Sequence, residues 1–123
     1  MALSGIVLSG SPGGASLVRY HPGQRVFYAC QVLNPRRAAD GSIRVGVQAT
    51  LFRDQRLLGS SRFILLDGKD QPDLKRLLVA DDFRLGQQLP SGDYTLQVVA
   101  VDQNAAPKVT ASQSIDFEAT NLQ

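Results

Sequence analysis

The stretch Leu89-Pro90-Ser91-Gly92-Asp93-Tyr94-Thr95-Leu96-Gln97-Val98 decides the fold. A Pro-Ser-Gly turn feeds a strand in which Tyr94, Leu96, Val98 and Ala100 alternate with Thr95, Gln97, Val99 and Val101. A period of two sends one set of side chains into a core and the other away from it. A tyrosine as the first inward residue after such a turn is how Greek-key sandwiches pin a corner. The ring packs inside and the hydroxyl bonds backbone just upstream. Pro90, Gly92 and Tyr94 are therefore read as structural residues.

The same period recurs on both sides of this stretch. Ile43, Val45, Val47, Ala49 and Leu51 form one inward set; Val109, Ala111, Ile115 and Phe117 form another, which Gln113 interrupts. A polar amide there needs partners or marks a sheet edge. Further strands are expected over 5–9, 24–33, 55–58, 63–66, 77–80 and 83–85. Turn signals separate them at Ser11-Pro12-Gly13-Gly14, Pro22-Gly23, Asp40-Gly41 and Asp67-Gly68. Asp54-Gln55 stands where Asp-Gly would be expected, so Gln55 needs a looser turn or a positive φ. No long helical period is present; at most one helical turn follows Pro72. Seven to eight short strands at about ten-residue spacing predict an all-β, immunoglobulin-like or fibronectin-III-like Greek-key sandwich. We expect a single domain over 1–123, ordered over about 3–119, with loose termini.

Composition agrees. A chain of 123 residues, 43% apolar, can bury a core without covalent staples. The single cysteine, Cys30, rules out an internal disulfide and lies within the apolar run Val26-Phe27-Tyr28-Ala29-Cys30-Gln31-Val32-Leu33, so it reads as a small buried hydrophobe. No apolar run approaches the roughly 20 residues of a membrane helix. Leu3 to Leu8 is too short, and lacks the basic leader, to be a signal peptide. Residues 1–62 carry eight arginines against Asp40 and Asp54, while 63–123 carry five basic against nine acidic residues. In a sandwich the two halves interleave, so much of this asymmetry cancels. No lysine-rich tract or aromatic platform points to nucleic acid.

Chemistry is sparse. His21, the only histidine, lies in a turn, and no Gly-x-Ser-x-Gly elbow accompanies it. Asp67, Asp70 and Asp73 share a loop and are weak candidates for calcium, but Lys69 opposes them and the spacing is not that of an EF-hand. Asp81-Asp82 reads as a bulge or loop on the sheet rim. A glycan platform would need exposed aromatics; there is no tryptophan, and Tyr20 and Phe52 are the aromatics to test for exposure. The outward pair Val99 and Val101 forms an apolar strip, a candidate docking or self-association face. No cofactor is implied.

Four segments also resemble a known family. They are Leu3-Ser4-Gly5-Ile6-Val7-Leu8; Tyr20-His21-Pro22-Gly23-Gln24-Arg25-Val26-Phe27 running on to Asn34; Val47-Gln48-Ala49-Thr50-Leu51-Phe52-Arg53-Asp54; and Phe83 to Val98 together with Thr110 to Glu118. Together they resemble the C-terminal module of the von Willebrand factor A-related proteins of acidobacteria. The resemblance implies an exported β-sandwich, accessory to a larger protein. The metal-binding motif of such proteins belongs to the A domain, so no site residue carries over. The expectation is a non-catalytic structural or protein-interaction module that engages a neighbouring domain or chain. The alternative is a module binding glycan or calcium.

Overall fold

The computed structural model describes residues 1–61, 63–69 and 71–120. It is all-β, with ten strands in two facing sheets: β1 (Ala2–Leu3), β2 (Val7–Ser9), β3 (Arg19–Tyr20), β4 (Arg25–Leu33), β5 (Val45–Arg53), β6 (Arg56–Ser60), β7 (Ile64–Leu66), β8 (Arg76–Arg84), β9 (Gly92–Asp102) and β10 (Val109–Ala119). Eight of these have three or more residues; the two-residue strands β1 and β3 carry no periodicity and escape a sequence reading. In the smaller sheet β4 is central, with β8 on one side and β1 and β2 on the other. The larger sheet runs β3-β10-β9-β5, with β6 and β7 both on the outer side of β5. Its neighbours are antiparallel except β3, which runs parallel to the end of β10.

Each long strand buries alternate residues. Val26, Tyr28, Cys30 and Val32 of β4 face Tyr94, Leu96, Val98 and Ala100 of β9 across one core. At one end of it Phe117 stacks on Tyr94 with centroids 5.8 Å apart, meets the Tyr20 ring edge-on at 5.9 Å and touches Phe83 at 6.3 Å. Tyr20 is thus a core residue; its hydroxyl donates to the Leu17 carbonyl at 2.6 Å. Phe52 is half-buried.

Several boundaries differ from the sequence reading. The segments 77–80 and 83–85 fuse into one nine-residue strand, β8, because Asp81 and Asp82 pair in register with Tyr28 and Phe27 of β4. The acidic pair is therefore inside a strand, not in a loop. Arg25 makes this possible by an ion pair with Asp82 across the ladder. After Pro72 there is a turn closed by Arg76 N–H to Asp73 O at 3.1 Å. Ala2 and Leu3 pair with Leu33 and Val32, so this end of the chain is part of a sheet. Asp54 and Gln55 both take positive φ, 50° and 65°, in the two-residue turn that joins β5 and β6.

Candidate functional site

The Tyr94 corner organises one end of the sandwich. The Tyr94 hydroxyl donates to the Pro90 carbonyl at 2.5 Å. Gly92, at φ 146°, lies in a region L side chains avoid, and a Cβ there would stand 3.3 Å from the Arg53 guanidinium. Arg53 lies over the Tyr94 ring at 5.4 Å and donates to the Ser91 carbonyl at 3.3 Å. This is an architectural cluster: its polar atoms bond one another.

The opposite end is pinned by a residue that the sequence reading missed. Asp102 is 2% exposed. Its carboxylate accepts from the Arg36 backbone N–H at 2.7 Å and from Asn104 N–H at 3.1 Å. The Asn104 amide then donates to the carbonyls of Arg36 and Ser42 at 3.0 and 3.1 Å. The long connection between β4 and β5 is so tied to the end of β9. Asp102 continues the inward set of β9, and a charged residue in that register was the available signal.

The candidate chemical residues do not converge. His21 is exposed, and its Nδ1 lies 3.0 Å from the Thr120 carbonyl. A carbonyl only accepts, so Nδ1 carries the proton. Asp67 accepts from Lys69 N–H and Asp73 from Lys75 N–H, each closing a local turn; Asp70 lies outside the described residues. Among the described residues no group of three His, Cys, Asp or Glu side chains is placed to hold a metal. Cys30 is buried, and desolvation pushes its thiol up to about 11. Burial, with smaller contributions from Asp81, Cys30 and Asp82, likewise pushes the Tyr28 phenol up to about 12. A buried, protonated thiol is a poor nucleophile. No helix among the described residues is long and apolar enough to cross a membrane.

What the structure does bring together is surface of two kinds. The first is the outer face of the larger sheet. Leu65, Gly46, Val101 and Thr110 form one row across four strands, and Gln48, Val99 and Ser112 the next. The Phe63 ring lies over Gly46, where a Cβ would meet it at 3.0 Å. Phe63 and Leu65 are 54% and 53% exposed, while Val99 and Val101 on the same face are half-buried. Phe63 and Leu65 extend the strip that the sequence reading had confined to the two valines.

The second is the sheet edges, which differ sharply. On β8 the residues whose backbone groups point away from β4 include Leu78 and Asp82. The Gln71 side-chain amide bonds both the N–H and the C=O of Leu78, at 2.8 and 3.2 Å, as a neighbouring strand would. The Asp81 carboxylate accepts from Asp82 N–H at 2.8 Å. Side chains thus occupy both backbone groups of Leu78 and the N–H of Asp82 on this edge, a common defence against strand addition. On β10 the even-numbered residues point away from β9, as the bonds from Glu118 N–H to Val18 O and from Thr120 N–H to Tyr20 O establish. Strand β3 covers only Glu118 and Ala119. Among the described residues no strand pairs with the stretch from Val109 to Phe117 on that side. The backbone groups of Thr110, Ser112 and Ser114 face outward along it, and all three residues are exposed. Gln113, pointing to the mouth of the sandwich, donates to the Leu3 carbonyl at 3.3 Å.

No protein-family model matches the chain, and no curated protein matches it.

Proposed function

We propose that this chain is a non-catalytic protein-interaction module that takes an extended partner segment onto the free edge of β10. The carrying observation is the contrast between the two long edges: β8 is plugged by Gln71 and Asp81, and β10 is not. Edge addition needs only backbone groups, and an unpaired row of N–H and C=O is a ready template for it. The strand order, with the Tyr94 corner at the start of β9 and a short parallel strand beside the last, supports an immunoglobulin-like arrangement. The family resemblance of the sequence supports a setting within a larger exported protein.

The outer apolar strip of Phe63, Leu65, Val99 and Val101 supports a second docking surface. A calcium site is the weaker reading, because Asp67 and Asp73 already close their own turns; a thermal midpoint that rises with calcium and falls with chelator would favour it. The edge reading is tested by titrating the protein with a capped peptide of alternating threonine and valine while recording amide NMR shifts. The expected result is shifts at Thr110, Ser112 and Ser114, with the capped amides of Leu78 and Asp82 on β8 unmoved. Equal shifts on both edges, or none, would refute it.

A further inference from the structure

We propose that the partner for the β10 edge is a second copy of this chain, joined antiparallel about a two-fold axis through Ser112. The inference rests on the reading of β10 as the docking edge and goes on to name its occupant. Two-fold pairing sets each residue against the one equally far on the other side of the axis, and side chains must face the same way as their opposites. Centred on Ser112, the register sets Ser112 against Ser112, Thr110 against Ser114, Val109 against Ile115 and Lys108 against Asp116. Hydroxyls meet hydroxyls, and the two β-branched residues on the core side, Val109 at 41% exposed and Ile115 half-buried, cover one another.

The charges at the ends of the pairing are opposite. Lys108 is exposed and has no acidic partner within its own chain among the described residues. Asp116 is exposed and accepts from the Thr95 hydroxyl at 2.7 Å, which leaves its second oxygen open. The two-fold makes this ion pair twice. Moving the axis to Gln113 loses the match: Thr110 then opposes Asp116, two glutamine amides meet at the centre, and Lys108 would oppose Glu118, a residue already paired with β3 and bonded to Arg19. Moving it to Ala111 sets Lys108 against Ser114. The backbone agrees too, since all the outward N–H groups belong to even-numbered residues, and this register opposes even to even. Two six-stranded sheets would then run as one across the axis.

The test joins hydrodynamics to disulfide trapping. Sedimentation from about 10 µM to about 1 mM, a range suited to a small edge contact, should show the mass doubling. Lys108→Glu should weaken the dimer about tenfold, two surface ion pairs being reversed, and the double variant Lys108→Glu/Asp116→Lys should restore it. Val101→Lys, on the outer face, should leave it unchanged. In Ser112→Cys the two α-carbons stand about 5.5 Å apart, within disulfide range, so mild oxidation should cross-link it. In Ser114→Cys they stand about 14 Å apart, so it should not. Cys30 is buried and stays out of the reaction. A monomer at every concentration overturns the proposal. So does a dimer broken by Val101→Lys, or one in which Ser114→Cys cross-links as readily as Ser112→Cys. A monomer whose β10 amides still shift with the threonine-valine peptide overturns self-pairing alone and leaves the interaction reading intact.

Discussion

Replacing Tyr94 by phenylalanine isolates the bond that pins the corner. The ring is 1% exposed, and its stacking on Phe117 and Arg53 survives the change. What goes is the hydroxyl that donates to Pro90 O at 2.5 Å and receives a long contact from Arg53 at 3.4 Å. One net hydrogen bond is worth about 1 kcal/mol, and a carbonyl left short of a donor raises the cost toward about 1.5 kcal/mol. Unfolding entropy near 2.1 cal/mol/K per residue gives roughly 0.26 kcal/mol/K for a chain this long, so the midpoint should fall by about 4–6 °C. Tyr28→Phe is the matched control. That ring is also buried, but its hydroxyl bonds no described residue, so its removal should stay within about 0.5 kcal/mol. Thermal unfolding by circular dichroism measures both. Equal midpoints for wild type and Tyr94→Phe would refute the reasoning, as would an equal loss in the two variants.

Three further outcomes are expected. Gln55→Gly relieves a side chain held at φ 65° and should raise the thermal midpoint by about 4 °C, the equivalent of about 1 kcal/mol. Asp102→Ala removes two bonds to a buried carboxylate and loosens the connection before β5; urea unfolding should register a loss of about 3 kcal/mol. Stability should also decline in alkali. Cys30 and Tyr28 keep their protons in the folded chain up to about 11 and 12, but lose them near 9.0 and 10.0 when unfolded. Their contribution is therefore whole below pH 9 and drains away as pH rises to 12. A urea midpoint that stays flat across that window would contradict the burial of both groups.

The alternating strands were legible because each buries one face, and burial writes a period of two into the residues. The Tyr94 corner was legible for a related reason: Pro90 and Gly92 set the turn and the tyrosine fills the inward position after it. Other features were hidden because they depend on partners far along the chain. The turn around Tyr20 leaves open whether its ring is exposed; Phe117, nearly a hundred residues later, closes over it. The Asp81-Asp82 pair looked like a break until Arg25, on the adjacent strand, took up one carboxylate. Nothing local says which strands end at an edge. That Gln71 plugs β8 follows only from where the turn after Asp67-Gly68 returns the chain. The free edge left one faint sign, the stretch Thr110-Ala111-Ser112-Gln113-Ser114, in which only Ala111 is apolar. From sequence Gln113 reads as an edge mark or a buried amide; it lies beside that edge, with the Leu3 carbonyl as its acceptor.

Amide hydrogen exchange along β10, followed by NMR at low and high protein concentration, tests the bare edge most directly. In dilute solution Thr110, Ser112 and Ser114 should exchange fast while Ala111, Gln113 and Ile115, bonded to β9, exchange slowly; concentrating the protein should slow the even-numbered set alone. Uniform protection along β10 in dilute solution would contradict the bare edge; an even-numbered set that exchanges fast but is indifferent to concentration would contradict self-pairing alone.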